Sequence, residues 1–247
     1  MTINKYVKIL DTPFITNTFE EMVNLFIKRI NNREKTFVVT ANPEIVMHAK
    51  KHGEYKEALK DANYIVPDGY GIILASRILN TPIPERVTGY DLTIRLLELA
   101  NQNRWKVYLL GGKEEVNSAA ATNIEKRYPM LRLVGRHHGF FDLEEETIPA
   151  DIKRLQPDIV LVALGVPRQE LWTVRHLDSF SHGIFMGVGG SIDVLAGTVK
   201  RAPKIWQTLR VEWLYRLVKQ PSRWRRMLAL PEFVLEVFKV KFTPKGK

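Results

Sequence analysis

The sequence contains no cysteine, no Asp-x-Asp and no glycine-rich nucleotide-binding fingerprint. Without cysteine, disulfide bonds and thiolate chemistry are excluded. G-x-G-x-x-G and Walker A loops are also missing, so neither a hydride-transfer enzyme nor an ATPase is supported. His137 and His138 are adjacent, so they cannot share one helix face as metal ligands spaced by four residues do. We therefore expect neither a bound metal nor a cofactor.

Long apolar runs are absent as well. The longest run, Ile159 to Val166, is far too short to span a bilayer. The segment Met1 to Tyr6 has no apolar core of the kind that signal peptides carry. We expect a soluble or peripheral protein, and not one that is inserted through a membrane.

Positive charge is concentrated at one end of the chain. The formal net charge is +10, and residues 198–247 alone hold thirteen Lys or Arg against three Glu. The first 197 residues hold 24 basic and 24 acidic residues, and are neutral. This asymmetry predicts a neutral α/β body (residues 1–197) and a basic helical appendage (residues 198–247). It also indicates an anionic partner for the appendage.

Strand-like and helix-like segments alternate through the body, which predicts an α/β fold with a mainly parallel sheet covered by helices on both faces. The predicted strands are 7–16, 36–40, 64–66, 106–110, 131–134, 158–164 and 184–188. Residues 137–141 read as a loop and 143–155 as a helix. Residues 203–241 read as amphipathic helices broken at Pro221 and Pro231.

Polar residues follow two of these strands. Thr40 and Asn42 end the strand at 36–40, and Asp68 follows the strand at 64–66. Since ligands of open α/β sheets bind at the carboxyl edge, these side chains are expected in one crevice. The alternative is that Asn42-Pro43 and Pro67-Asp68-Gly69 are simply turns, a common use of those residues.

Glycine pairs lie where two other strands turn into helices, at Gly111-Gly112 and Gly189-Gly190. Glycine lets a phosphate approach the backbone, and a helix N-terminus supplies N–H donors, although such turns are equally used for structure alone. Arg86, in a proline-stiffened loop, is suited to clamp a diphosphate or to pair with a surface carboxylate. The candidate acids and bases are Asp68, Asp91, Asp193 and Glu170, with Asp68 the best placed.

The appendage interleaves basic and aromatic residues, which leaves three interpretations open. Trp and Leu on one helix face with Arg and Lys on the other suit an anionic bilayer surface. The same residues suit single-stranded nucleic acid. The third interpretation is an ordinary packed helical hairpin with a solvated basic rim. Away from lipid the apolar faces need cover, so self-association into a homo-oligomer is a further expectation.

A series of motifs in order makes the sequence recognisable. It resembles the TagA/WecG/CpsF family of bacterial glycosyltransferases (glycosyltransferase family 26) from about residue 8 to about residue 235. The motifs are Thr40-Ala41-Asn42-Pro43-Glu44, Pro67-Asp68-Gly69-x-Gly71, Arg86-Val87-Thr88-Gly89-Tyr90-Asp91, Leu109-Leu110-Gly111-Gly112, His138-Gly139-Phe140-Phe141, Ala163-Leu164-Gly165-x-Pro167-x-Gln169-Glu170, Gly187-x-Gly189-Gly190-x-x-Asp193, Arg201-Ala202-Pro203 and Glu212-Trp213-Leu214-Tyr215-Arg216. The basic tail is similar to the C-terminal appendage of the TagA type.

The resemblance implies a Rossmann-like catalytic domain and a peripheral enzyme at the cytoplasmic face of the bacterial membrane. It implies inverting, metal-independent transfer of N-acetylmannosamine from UDP-N-acetylmannosamine to undecaprenyl-diphosphate N-acetylglucosamine. The β-1,4 product begins the linkage unit of wall teichoic acid. One alternative is a sister enzyme that uses UDP-N-acetylmannosaminuronate or UDP-glucose for another polysaccharide. The alternative from another class is a basic nucleic-acid-binding protein, although our prediction includes no nucleic acid partner.

The resemblance also implies roles for individual residues. Asp68 would be the general base, with Thr40 and Asn42 beside it and Gln169 positioning substrate. Arg86 would hold the diphosphate, and the nucleotide pocket would be lined by Gly111, Phe140, Gly190 and Asp193. From the appendage, Arg216, Arg223 and Arg226 would close over the site. Family members often carry Tyr at the place of Phe140, so a hydroxyl contact is not expected there.

Overall fold

The computed structural model describes residues 5–219, 221 and 224–243. The strands in this part are β1 (Tyr6–Ile9), β2 (Thr12–Ile15), β3 (Lys35–Ala41), β4 (Tyr64–Pro67), β5 (Lys106–Gly111), β6 (Arg132–His137), β7 (Ile159–Ala163) and β8 (Gly183–Gly187). The helices are α1 (Phe19–Asn31), α2 (Pro43–Lys51), α3 (Gly53–Lys60), α4 (Tyr70–Ile78), α5 (Gly89–Asn103), α6 (Glu114–Arg127), α7 (Thr147–Leu155), α8 (Arg168–Leu177), α9 (Ser191–Leu195), α10 (Lys204–Thr208), α11 (Glu212–Lys219), α12 (Trp224–Met227) and α13 (Ala229–Phe242).

Six strands form one parallel sheet in the order β4-β3-β8-β7-β5-β6, and β1 and β2 form a separate antiparallel hairpin. The predicted α/β fold with a mainly parallel sheet is therefore confirmed. Strands buried on both faces need nearly continuous apolar sequence, which β3, β7 and β8 supply.

Alternate residues of each strand point to opposite faces of the sheet and into different cores. Leu161 of β7 belongs to the core under α1, α5, α6 and α9, whereas its neighbours Val160 and Val162 belong to the core with α7 and α8. The third core joins β3 and β4 to α2, α3, α4 and α13. The period of two along buried strands thus provides both faces with apolar side chains.

Two of the predicted loop and helix boundaries were wrong. β6 continues through His137, which we placed in a loop, because His137 pairs with Leu110 of β5. Helix α7 begins at Thr147 and not at 143, since the Asp142 side chain accepts a hydrogen bond from the Glu144 N–H at 3.0 Å and holds a turn there.

One predicted helix break was also wrong. Pro221 lies between α11 and α12 as expected, but Pro231 lies in the first turn of α13. A proline is tolerated there because the first N–H groups of a helix have no acceptor within the helix.

The end of the basic appendage packs on the body. Phe233 and Val237, one turn apart on α13, are each only 1% exposed and belong to the core with α2 and α4. Lys51 of α2 and Glu232 of α13 form an ion pair at 2.6 Å, and Lys50 pairs with Glu236. The division at residues 197 and 198 stays a prediction.

Within the part of the chain that the structure describes, no helix combines the length and the apolar character needed to cross a bilayer.

Candidate functional site

The predicted site residues of the body all lie at or near the carboxyl edge of the parallel sheet. Along this edge Asp68 follows β4, Thr40 and Asn42 lie at the end of β3, Gly190 follows β8, Gln169 follows β7, Gly111 ends β5 and Phe140 follows β6. The connections after β3 and β7 lead to helices on one face, and those after β8 and β5 lead to the other. Neighbouring strands whose connections leave for opposite faces open a crevice, which is where open α/β sheets bind ligands.

Asp68 is held in this crevice by backbone contacts. Its N–H donates to the Ala41 carbonyl at 2.9 Å, and its Oδ2 accepts from the Gly89 N–H at 3.3 Å. Gly89 begins α5, so the carboxylate lies at a helix N-terminus, where the helix dipole favours negative charge. The side chain is half-buried. This fixed, partly solvated carboxylate is suited to accept a proton from a bound hydroxyl group.

Thr40 and Gln169 are brought together through Gly187. The Thr40 hydroxyl donates to the Gly187 carbonyl at 2.8 Å. A Cβ on Gly187 would lie 2.7 Å from Nε2 of Gln169, and a Cβ on Gly89 would lie 2.9 Å from Oγ1 of Thr40. A continuous row therefore runs from Asp68 through Gly89, Thr40 and Gly187 to Gln169, and it depends on two glycines for its close packing.

Asn42 acts as a helix cap. Its Oδ1 accepts a hydrogen bond from the Ile45 N–H at 3.0 Å at the N-terminus of α2. Capping satisfies one of the helix's unpaired N–H donors and fixes the side chain at the end of β3. Its predicted role beside the base stays a prediction.

Glycine-containing loops lie at the carboxyl ends of β5 and β6, on the part of the sheet edge away from Asp68. Gly111 has a φ of 121°, and a Cβ there would lie 2.3 Å from the Ala163 carbonyl oxygen. The Gly112 N–H donates to that oxygen at 3.1 Å, and the Gly139 N–H donates to Gly112 at 2.7 Å. The loops after β5 and β6 and the end of β7 are therefore packed closely together through their backbones, with Gly111 and Gly139 buried. Gly112 and Gly190 are less buried, and a residue without a side chain lets a phosphate approach the backbone there.

Of the residues predicted with Gly111, Gly190 and Phe140 lie on neighbouring loops and Asp193 lies in α9. Gly190 precedes α9, and Ile192 of that helix lies 3.2 Å from the Cβ that Gly112 lacks. Asp193 is half-buried, and its carbonyl oxygen accepts from Thr198. Phe140 is 69% exposed, so its ring is available for a ligand to stack on. Their assignment to a nucleotide pocket stays a prediction.

Arg86 is joined to the appendage. Its Nη1 lies 3.0 Å from Oε2 of Glu212 on α11, and both side chains are largely buried. Glu212 is in turn 3.8 Å from Arg201, whose guanidinium donates to both oxygens of Asp91 at 2.7 and 3.0 Å. Burial acts to raise the pKa of Asp91, but hydrogen bonds from Arg201 and Thr88 outweigh it, and the pKa is lowered. Arg86 and Arg201 thus form a cluster with Glu212 and Asp91 that holds two positive and two negative charges, at the loop that leads into α5.

The appendage supplies further arginines to the same edge. Arg226 lies 3.6 Å from Glu44 in the first turn of α2, and Arg210 donates to the Tyr70 hydroxyl at the start of α4. The guanidinium of Arg210 also stacks on the Tyr70 ring, 4.4 Å from its centroid. Of the other predicted arginines, Arg223 lies outside the described residues, and so does the side chain of Arg216.

Sequence reasoning missed Glu212, Arg201 and Arg210 as neighbours of the site. The motifs Arg201-Ala202-Pro203 and Glu212-Trp213-Leu214-Tyr215-Arg216 marked the segment for two of them, without showing which loop it would meet, and Arg210 lies in neither motif. The contact depends on folding of the appendage across the edge of the sheet, which no local pattern indicates. Among residues 5–219, 221 and 224–243, no three His, Cys, Asp or Glu side chains come close enough to hold a metal ion.

Comparison with known proteins decides the family. Residues 7–247 match the family model described as "Glycosyl transferase WecG/TagA/CpsF family". The chain belongs to the WecG/TagA/CpsF family. It is therefore a glycosyltransferase, and the family resemblance of the motifs is confirmed.

Individual WecG/TagA/CpsF relatives are similar along nearly the whole chain. Two proteins, from Staphylococcus aureus strains MW2 and NCTC 8325 / PS 47, are each 40% identical over 237 residues, which is 95% of this chain and 93% of the relative. Both are named N-acetylglucosaminyldiphosphoundecaprenol N-acetyl-beta-D-mannosaminyltransferase. A third relative, from strain COL, carries the same name and shows the same identity.

Proposed function

We propose that this glycosyltransferase moves N-acetylmannosamine from UDP-N-acetylmannosamine to undecaprenyl-diphosphate N-acetylglucosamine, forming a β-1,4 linkage in the linkage unit of wall teichoic acid. The names of the relatives at 40% identity support the donor sugar and the acceptor. The observation that carries the proposal is the crevice itself. The fixed carboxylate of Asp68 and the ion-paired Arg86 belong to one end of the sheet edge, and the glycine turns at Gly111-Gly112 and Gly189-Gly190 lie further along it.

In the proposed reaction, Asp68 removes the proton from the attacking hydroxyl group of the acceptor sugar. The hydroxyl oxygen forms a bond to the anomeric carbon of the donor while the bond from that carbon to the diphosphate breaks. Attack from the side opposite the leaving group inverts the anomeric centre. A single base is sufficient for this step, and one is available in the crevice.

The leaving UDP carries its new negative charge on phosphate oxygen. We propose that Arg86 stabilises that charge, because its fork of donors fits phosphate, and that Arg201 supports it through the Glu212 carboxylate that the two arginines share. We propose that these side chains do this work without a metal ion. The absence of Asp-x-Asp from the sequence supports that view.

The proposed nucleotide pocket is the glycine half of the edge, with Gly111, Gly190, Asp193 and the exposed ring of Phe140. The diphosphate would then extend along the edge from these loops toward Arg86. This direction brings the anomeric carbon near Thr40, Gln169 and Asp68, which form the continuous row described above.

We also propose that the enzyme works as a peripheral protein on the inner face of the bacterial membrane, with the appendage as its contact. Apolar side chains of α13 are exposed next to lysines: Leu235 is 62% exposed, Phe238 41% and Phe242 76%. Phe238 and Phe242 stack on each other, and Lys239 lies between them in sequence. An apolar face rimmed by cations suits an anionic bilayer surface.

UDP release in EDTA tests the proposal. The donor is UDP-N-acetylmannosamine, the acceptor is a lipid-diphosphate N-acetylglucosamine analogue, and the variants are Asp68→Asn and, as control, Asp61→Asn on the exposed end of α3. We expect metal-free turnover by the intact chain and by the control, and a loss of about a hundredfold or more in Asp68→Asn. If the intact chain turns over only with UDP-N-acetylmannosaminuronate or UDP-glucose, the proposed donor is wrong and that UDP-sugar takes its place. Full activity of Asp68→Asn would overturn the assignment of the base.

A further inference from the structure

A buried acidic residue lies directly beside the proposed site and has no part in the proposed reaction. Glu170, in the first turn of α8, is 1% exposed, and its Oε1 accepts a hydrogen bond from Nε2 of Gln169 at 2.7 Å. Its other oxygen, Oε2, and the Gln169 carbonyl oxygen Oε1 are both buried without a hydrogen-bond partner in the described part of the chain. Burying a carboxyl group is costly, so its presence here requires a reason.

The position of the Gln169 amide is fixed from two directions. Glu170 accepts from its nitrogen, and the backbone of Gly187 leaves no room for that nitrogen to retreat, since even a Cβ there would lie 2.7 Å from it. Gly187 is also the residue whose carbonyl accepts from Thr40 at 2.8 Å. The amide therefore lies in the same row as Thr40 and Asp68.

We propose that Glu170 is a positioning residue, which holds the side-chain nitrogen of Gln169 and so fixes the orientation in which the Gln169 amide supports the row of Thr40 and Asp68 beside the bound sugar. This inference rests on the proposed function, in which Gln169 positions the substrate. An ionised carboxylate can only accept hydrogen bonds, so it permits one orientation of the amide. A protonated carboxyl also donates, and it would permit the reversed orientation.

The charge state of Glu170 makes this arrangement dependent on pH. The titratable groups that face it are Tyr55 from α3 and Glu44 from α2. Burial raises the pKa of Glu170 to about 7 and the Glu44 charge adds to the rise, whereas the hydrogen bond from Gln169 and the nearby Tyr55 hydroxyl act in the opposite direction. The acceptor-only form of Glu170 is therefore complete only above neutral pH, and it is lost as the pH falls through this value.

Two measurements on the full chain test the proposal. The first follows the side-chain amide signals of glutamine-labelled protein by NMR between about pH 5.5 and 9, without any substrate. We expect the Gln169 signals, assigned by their loss in Gln169→Ala, to shift with a midpoint near 7 in the wild type and to stay constant in Glu170→Gln. The Gln207 amide, which donates to the Ala202 carbonyl at 2.7 Å, is the internal control and should show no such step.

The second measurement is a double-mutant cycle on kcat and kcat/KM for UDP release at about pH 8. We expect Glu170→Gln to lower kcat by about tenfold and to remove a step near neutral pH from the pH profile, without any loss of thermal stability. In the Gln169→Ala background, Glu170→Gln should have no further effect.

The outcomes distinguish a failure of the proposed role of Glu170 from a failure of the proposed function. A flat Gln169 titration in the wild type, or losses that multiply in the double variant, would overturn the positioning role of Glu170. Full activity of Gln169→Ala would overturn it together with the role of Gln169. Failure of the wild type to release UDP from any UDP-sugar would refute the proposed function, whereas the NMR titration would still decide whether Glu170 orients Gln169.

Discussion

Nη1 of Arg86 lies 3.0 Å from Oε2 of Glu212, so a cation of the crevice is bound to an anion of the appendage. A diphosphate that uses Arg86 has to compete with this carboxylate or share the guanidinium with it. The appendage thus occupies the position that the proposed function assigns to a negatively charged ligand.

The Arg86–Glu212 pair gives a prediction for ligand affinity. In Glu212→Gln, UDP no longer competes with a carboxylate for Arg86, and we expect UDP to bind about three- to tenfold more tightly, as for the loss of one ion pair of modest strength. Isothermal titration calorimetry with UDP would measure this change. Glu232→Gln, which removes the ion pair with Lys51 on another helix, is the matched control and should leave the affinity unchanged. Weaker binding by Glu212→Gln would show that Glu212 supports Arg86 and does not compete for it.

A second prediction concerns Gly187. In Gly187→Ala, the new Cβ would lie 2.7 Å from Nε2 of Gln169 and would displace the amide. We expect kcat to fall by about ten- to a hundredfold, because small misplacements at a reacting centre cost rates of this size. Steady-state UDP release is the measurement. Gly53→Ala is the control, since a Cβ at Gly53 meets no atom within 4 Å, and equal losses in both variants would contradict the explanation.

Substitutions at two phenylalanines of α13 should affect two different properties, the stability of the fold and the binding of a membrane surface. Phe233 is 1% exposed and Phe242 is 76% exposed. We expect Phe233→Ala to lower the free energy of unfolding by about 3 kcal/mol, as for other buried aromatics, and Phe242→Ala to leave it nearly unchanged. In flotation with anionic vesicles, Phe242→Ala should bind more weakly than the wild type. Equal vesicle binding by Phe242→Ala and wild type would argue against α13 as the membrane contact.

The buried carboxyl of Glu170 predicts an unusual dependence of stability on pH. Its pKa is about 7 in the folded chain against 4.5 for an ordinary glutamate, so the unfolded chain releases this proton at lower pH than the folded chain does. Stability from this group is therefore complete below about pH 4 and is lost as the pH rises to about 7, a difference of about 3 kcal/mol.

Urea unfolding measures this effect. We expect Glu170→Gln to be more stable than the wild type at about pH 8 by up to that amount, and the gain to vanish near pH 4. A gain in stability together with the expected loss of activity would show that Glu170 serves activity and lowers the stability of the fold. A constant difference between the two proteins across this pH range would contradict the linkage.

Much of the fold follows from local sequence. The apolar runs that end at Thr40, Asp68 and Gly111 predicted strands and their carboxyl edge, because a parallel strand buried on both faces has few alternatives. The wrong boundaries, at 143 and at Pro231, lie where a single side-chain hydrogen bond or the tolerance of a first helical turn decides the outcome. Such choices differ by about 1 kcal/mol and leave little trace in a pattern of apolar residues.

The positions of the candidate site residues were predictable where a motif lies on a strand end and not where distant segments meet. Asp68 and Thr40 followed from their strands, and Gln169 from its motif. The pairing of Arg86 with Glu212 joins residues that are 126 positions apart, and it depends on how the appendage crosses the body. Charge composition identified the appendage as basic, but it could not show that one of its three glutamates would be the residue that faces the crevice.

Helix α2 is shared by the crevice and the appendage. Asn42 caps its first turn at the end of β3, and Lys50 and Lys51 of its last turn are paired with Glu236 and Glu232 of α13. Nine residues of helix make a rigid spacer of about 13 Å between the two attachments. Any surface that binds α13 therefore sets the height and the tilt at which the crevice stands above it.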